Sequence, residues 1–324
     1  MHAEKWQKAL VLSVVLAIGL YALSVLVADA GRVTGALAAV SPAAWAGIIA
    51  LSLANYLLRY VRWDMYLQSL SGIRVPHRRH LSYYLAGFAL STTPGKAGEA
   101  IRAWYLHRHG VRVRHSVGAL FVERLLDLFA IAVLSVAGVW AFPDYRWFIL
   151  LVIGGIVLSM MLLQHRAWWQ SVFARAPRHS RLSRGLSHLG AMLEDCSGLL
   201  KGRWLLSGLL IGIVSWGGEG IGLWLVLKAM GHSVDLVTAV SVYGIAVLVG
   251  ALSFLPGGLG GTEAVMTLLL MALGVDNAVA VAATLACRAA TLWLAVIIGL
   301  AVMSCLSVID GIRPRTLNNK IAED

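Results

Sequence analysis

The sequence predicts an all-α polytopic membrane protein, an inverted-topology repeat of six full spans and two re-entrant helical hairpins. Three observations carry this. Of 324 residues, 59% are hydrophobic and only 13% charged, whereas roughly a quarter are charged in soluble domains. Two Pro-Gly breaks interrupt apolar stretches, Thr93-Pro94-Gly95-Lys96-Ala97-Gly98-Glu99 and Leu255-Pro256-Gly257-Gly258-Leu259-Gly260-Gly261-Thr262-Glu263. Lysine and arginine gather in alternate loops.

The first span is expected at 9–28, behind Lys5 and Lys8. It has the charge pattern of a signal peptide, and Ala28-Asp29-Ala30 looks like a cleavage site. The apolar run exceeds the roughly 7–15 residues of a signal-peptide core, so it reads as a retained span. Further crossings are expected at 43–67, 116–142, 147–164, 204–229 and 278–308. Each approaches the ~20 apolar residues that a bilayer requires.

Charge orients these spans. Residues 68–80, 102–114, 164–203 and the tail are rich in arginine, while 29–42, 143–146 and 274–277 hold only Arg32 and Arg146. The positive-inside rule puts the basic loops and both termini in the cytoplasm. The broken stretch 80–108 then begins and ends on the cytoplasmic side, and 237–272 on the outer side, so each is a hairpin. Residues 80–93 would reach only ~21 Å as helix, too short to cross. The single membrane domain, 1–324, thus divides into one repeat at 1–142 and an inverted one at 146–310. Matched interrupted segments in two halves point to a transporter binding site. Between them, 165–203 is a basic cytoplasmic segment. In it Leu182, Leu186, Leu189, Leu193 and Cys196 share a helix face, set either on the membrane surface or on a cytoplasmic loop.

The net charge of +11 sits beside the membrane, where it meets anionic lipid heads, so nucleic acid is not an expected partner. Cys196, Cys287 and Cys305 show neither metal spacing nor a disulfide pattern. No metal or cofactor is expected. His-Glu-x-x-His and Gly-x-Ser-x-Gly are absent, which disfavours an intramembrane hydrolase.

Ionisable residues at membrane depth are candidates for function. Glu123 and Asp127 share a helix face with Arg124 beside them, and Asp127 falls roughly 16 Å deep. They form either a structural salt-bridge knot or a headgroup or proton site. Arg288 lies about 15 Å from the outer end of the last span, with Thr284 and Thr291 on its face. It requires an anion, from Glu123, Asp127, Glu99, Glu263 or a ligand phosphate. Arg59 and Arg62, with Asn55, occupy one face of the second span. They either anchor by snorkelling to the headgroups, which explains Arg62 better than Arg59, or contact a phosphate. Glu219, among glycines that permit close helix approach, is either a packing site or a proton carrier. Helices restarting after Pro94, Gly95 and Gly98, and after Pro256, Gly257, Gly258 and Gly260, offer free N–H groups to an anion. Lys96 and Arg102 add charge at the first. Glu99 and Glu263 either cap those helices or carry protons.

These pieces together resemble the flippase-like transmembrane region of lysylphosphatidylglycerol synthases in its stand-alone form. The matching residues are Thr93 to Glu99, Val122-Glu123-Arg124-x-x-Asp127, Pro256 to Gly260 with Glu263, and Arg288. In full-length synthases a soluble domain transfers an amino acid from charged tRNA to phosphatidylglycerol, and the membrane region moves the product across. The chain ends at Asp324, soon after the last span, so the resemblance implies translocation rather than synthesis. It implies anionic phospholipid or polyprenyl-phosphate-linked partners and the bacterial cytoplasmic (inner) membrane. The alternatives are a non-transporting partner of a lipid-synthesis enzyme, or an intramembrane enzyme acting on lipid heads.

Overall fold

The computed structural model describes residues 19–93, 98–136, 138, 146–166, 169–171, 181–253 and 255–309, and all regular structure among them is helical. The elements in order are α1 (Gly19–Val27), α2 (Ala30–Ala38), α3 (Pro42–Ser71), α4 (His77–Gly87), α5 (Ile101–His107), α6 (Val113–Ser135), α7 (Arg146–Gln164), α8 (Arg181–Leu199), α9 (Gly202–Ala229), α10 (Leu236–Leu252), α11 (Gly261–Ala272), α12 (Asn277–Arg288) and α13 (Leu294–Ile309). A π turn, Ala289–Trp293, joins α12 to α13 without a break.

Helices α3, α9 and the joined α12–α13 are long and apolar enough to cross a membrane. Helix α6 has comparable length but carries Glu123, Arg124 and Asp127. Of the first span, 9–28, residues 19–28 are described and 9–18 lie outside the described residues. Helix α1 ends at Val27, where the span is expected to end, and meets α2 at a bend of 100°. The cleavage-like Ala28-Asp29-Ala30 is this corner. The Asp29 carboxylate accepts from Gly31 N at 3.0 Å and Arg32 N at 3.3 Å, capping α2.

Local chemistry sets the other ends. Ser41 Oγ accepts from Ala44 N at 3.2 Å, with Pro42 opening α3, and Gly72 ends it at φ 66°. Asp235 caps α10 through Val237 N and Thr238 N, both at 3.0 Å. The Thr238 side-chain hydroxyl foremost, and then these backbone bonds, hold the Asp235 carboxyl below the usual carboxylate range. A depressed folded-state pKa gives stability that is present above the unfolded pKa and lost as pH falls through the folded one. Asp235→Ala should cost about 1 kcal/mol at neutral pH. In thermal melts its deficit against the parent should shrink as pH drops below 4; a pH-independent deficit contradicts the cap.

The element order repeats. A long helix, a broken helix pair and another long helix occur as α3, α4/α5, α6 and again as α9, α10/α11, α12–α13. Within each pair the two helices pack on one another. Helix α3 packs along α9, where Asn55 Nδ2 donates to Ser215 O at 2.9 Å. Helix α13 crosses α4 and the turn Phe88–Leu90. In the basic segment, α8 lies on α6 and α7, burying Cys196 and Leu199. Arg166 bonds Glu194 at 3.0 Å and Ser197 at 2.9 Å. The C-terminal part of α8 is thus packed on protein.

Candidate functional site

The helix breaks fall where the sequence places them. The turn Phe88–Leu90 ends the first arm, the described residues 91–93 that follow are not helical, and α5 begins at Ile101. Gly98 N closes the break on Thr93 Oγ1 at 2.8 Å. Pro94, Gly95 and Lys96 lie outside the described residues. At the second break Pro256–Gly258 forms one 3₁₀ turn, with φ of 62°, 67° and 83° at Gly257, Gly258 and Gly260. Side chains rarely adopt these values, so glycine is required. Glu263 Oε2 accepts from Gly260 N at 2.7 Å and caps α11.

The two breaks touch. A Cβ built on Gly257 would lie 3.3 Å from Thr92 Cα. Beside this contact is a cavity of about 90 Å³. Its ionisable lining is Arg59, Glu99, Glu219 and Arg288, with Tyr56, Trp216 and Tyr243 among the aromatic walls. The π turn after Arg288 brings Thr291 and Leu292 to the same cavity; π turns in helices recur at functional sites.

On one side stands a buried ionic network. Asp127 Oδ1 accepts from Arg62 Nη2 at 2.5 Å, and its Oδ2 lies 3.2 Å from Arg59 and 3.4 Å from Arg124. Glu123 accepts from Arg59 at 3.1 Å, Arg124 and Tyr84 at 3.3 Å and Arg102 at 3.4 Å. Glu99 accepts from Ser91 at 2.8 Å, Arg102 at 2.7 Å and Arg124 at 2.8 Å. Arg102 also lies 4.0 Å from the ring centroid of Tyr84. The network joins four guanidinium groups (Arg59, Arg62, Arg102, Arg124) to three carboxylates (Glu99, Glu123, Asp127), an excess of one positive charge. Burial of so many charges is tolerable only with such mutual bonding.

The second site centres on Arg288. Its Nε donates to Glu263 Oε1 at 2.6 Å and its Nη2 to Gly257 O at 2.8 Å. Of the anions open to it in the sequence, Glu263 is the one placed against it. Glu219 faces the cavity and accepts from Tyr243 Oη.

The geometry sorts the candidates. Arg59, Glu99, Glu219, Gly257, Gly258 and Arg288 reach the cavity. Arg102, Glu123, Arg124 and Asp127 brace its wall from the network, while Pro256, Gly260 and Glu263 shape the second break. Arg62 departs from expectation: rather than snorkel, it is fully buried against Asp127. The glycines near Glu219 differ among themselves. Gly220 permits close approach, a Cβ there lying 2.9 Å from Val240 Cα. Gly217 and Gly218 instead border an apolar crevice of about 600 Å³. Sequence reasoning missed Tyr21, whose hydroxyl donates to Glu263 Oε1 at 2.7 Å, and Tyr243. A phenol within an apolar run was the available signal, since its hydroxyl must find a partner.

Helix breaks meeting at a charged hollow inside an apolar helical shell define an integral membrane protein with an internal polar site. The chain belongs to the lysylphosphatidylglycerol synthase transmembrane region family, which it matches over residues 10–299. It is similar to a UPF0104 membrane protein of Methanothermobacter thermautotrophicus, 26% identical over 317 residues, covering 89% of this chain and 94% of that one. A UPF0104 membrane protein of Pyrococcus horikoshii is 23% identical over 274 residues, covering 76% and 82% respectively.

Proposed function

We propose that this protein translocates a lipid with an anionic, phosphate-bearing headgroup across the cytoplasmic membrane, holding the headgroup where the two breaks meet. The observation that supports this most is the cavity itself, walled by both breaks and carrying Arg59 and Arg288. Guanidinium groups bind phosphate through paired N–H donors. In this reading α4/α5 and α10/α11 are re-entrant hairpins from opposite leaflets within an inverted repeat of six spans, with both termini cytoplasmic. Acyl chains stay in lipid. The ion pairs hold the arginines ready, and a phosphate competes with Glu263 for Arg288. Glu219 and Glu99, which also line the cavity, are the candidate proton carriers. No chemical step on the lipid is assigned.

The test is headgroup movement in proteoliposomes carrying labelled anionic phospholipids or polyprenyl phosphates. Arg288→Gln, which removes a charge-assisted contact worth roughly 2–3 kcal/mol, should slow movement by about 30-fold or more while the protein still purifies as a folded species. Movement no faster than in protein-free vesicles for every lipid sinks the proposal. Co-purification with a lipid-synthesis enzyme, without movement, favours the partner role.

A further inference from the structure

Helix α1 is held differently from the other helices. Leu23, Leu26 and Val27 are 58%, 72% and 74% exposed, so most of its surface faces outward. Among the described residues, the polar ties of α1 to the rest of the protein are two bonds at Tyr21. Tyr21 Oη donates to Glu263 Oε1 at 2.7 Å and accepts from Trp293 Nε1 at 3.3 Å. The Tyr21 and Trp293 rings stand edge to face, 6.4 Å between centroids. Both cover Leu259 and Leu292, and Leu292 is itself cavity lining. Glu263 Oε1 receives Tyr21 and Arg288 together.

The far end of α1 is a corner. Asp29 has φ 69° and ψ 102°, the one positive φ at a non-glycine among the described residues. Beyond it α2 is pinned to the N-terminus of α12. Val33 packs on Ala278, Val281 and Ala282, a cluster that Val25 and Ala28 join from the near side of the corner, and Arg32 pairs with Asp276 at 2.9 Å. A firmly pinned arm, a strained corner and a second arm held by two hydrogen bonds at Tyr21 and the packing of Tyr21 and Val25 make a hinged flap. Strained backbone persists where surrounding contacts enforce it.

We propose that α1 is a lateral door between the lipid phase and the second break, with Tyr21 as its latch. Closed, Tyr21 and Trp293 seal the lipid-facing side of the Glu263–Arg288 pair. Opened about Asp29, the door lets a phosphate headgroup reach Arg288 directly from the bilayer. As the headgroup draws Arg288 away, Glu263 keeps its bond to Gly260 N, and Tyr21 is the partner that restores the closed state. Tyr21 is thus a positioning residue for the site. The inference rests on the translocation reading for its purpose, and its geometry is testable separately.

The test is a distance measurement by pulsed electron paramagnetic resonance in lipid nanodiscs. Spin labels go at Leu23→Cys on α1 and Leu268→Cys on α11, both well exposed at 58% and 62%. The background carries Cys305→Ser, since Cys196 and Cys287 are buried. The parent should give one dominant distance. Tyr21→Phe keeps the ring and loses both hydrogen bonds of the hydroxyl, which should move the closed-to-open ratio roughly fivefold or more toward open. A second, longer distance then appears. Trp293→Phe, which removes only the Trp293 bond to Tyr21, should shift the ratio the same way. A single unchanged distance in both variants overturns the latch, as does a parent already broad. Vesicle assays of the same proteins separate the two readings. A shifted distance with no lipid movement leaves the door standing and removes the translocation role. Lipid movement with an unshifted distance does the reverse.

Discussion

Asp127→Ala is expected to destabilise the protein by about 3–5 kcal/mol, the range for breaking a buried ion pair by removing one partner. Three guanidinium groups converge on this carboxylate, Arg62 at 2.5 Å, Arg59 at 3.2 Å and Arg124 at 3.4 Å. Arg62 is the most exposed to the loss in energy, because it is fully buried. Its remaining partners are Gly208 O at 3.3 Å and a more distant Glu123 at 3.7 Å. The network already carries one positive charge in excess, and the substitution raises that to two. Alanine also removes the Arg59 and Arg62 ties of Asp127 between α3 and α6, leaving those to Glu123. Unfolding in detergent should shift strongly, and a large fraction of the protein should run as aggregate in size-exclusion chromatography. Asp127→Asn keeps the oxygen that accepts from Arg62 while losing the charge, so its effect should be smaller. A melting temperature within the scatter of an exposed control such as Leu268→Ala would show that the network contributes little. Arg288→Gln should differ in kind, with movement lost and the fold retained, since Arg288 faces the cavity and its partner Glu263 remains tied to Gly260 N.

Much of the architecture was legible in the sequence because its signals are local. Apolar length gave 43–67 and 278–308 where the helices are Pro42–Ser71 and the continuous Asn277–Ile309. Proline and glycine at 256–260 mark the second interruption, since that sequence does not sustain an i to i−4 ladder, and the first arm ends at Leu90, just ahead of the Pro94-Gly95 signal. The need of Arg288 for an anion was also legible, because an isolated cation at that depth is prohibitive. Which anion it takes was not. Glu263 lies 25 positions away, and the competing carboxylates were equally allowed by one-dimensional spacing. Arg62 misleads for the same reason. A long cationic side chain near a helix end commonly snorkels, and only the arrival of Asp127 from α6 turns it inward. The corner at Asp29 hid behind a pattern that reads as processing, while its carboxylate in fact caps a new helix. Tyr21 pairs with a residue 242 positions on, a separation with no local trace.

Gly299→Val is the second large expected effect, and it tests how α13 bears on the first break. Gly299 on α13 faces the turn Phe88–Leu90 that leads into the first break. A Cβ there would lie 2.6 Å from the Phe88 carbonyl carbon and 2.9 Å from Ala89 Cα. Both are backbone atoms, so no rotamer change relieves the overlap. Overpacking of this kind costs about 1–3 kcal/mol for a single added methyl and more for a branched side chain. The strain has a defined destination. Phe88 lines the cavity and packs on Tyr56 at 5.1 Å and on Tyr84 at 5.2 Å between ring centroids. Tyr84 in turn stacks beneath Arg102 and donates to Glu123. Pushing Phe88 aside therefore disturbs both the cavity wall and the ionic network, from a helix that contributes no ionisable residue to either. Gly218→Ala is the matched control. Its Cβ would meet Leu51 Cδ2 at 3.8 Å, ordinary contact, and alanine favours a helix over glycine by about 1 kcal/mol. Gly299→Val should lose stability and displace the first break, read as altered hydrogen exchange over residues 84–93, whereas Gly218→Ala should hold or gain stability. Equal melting temperatures for the two variants would mean that α13 does not bear on the first break.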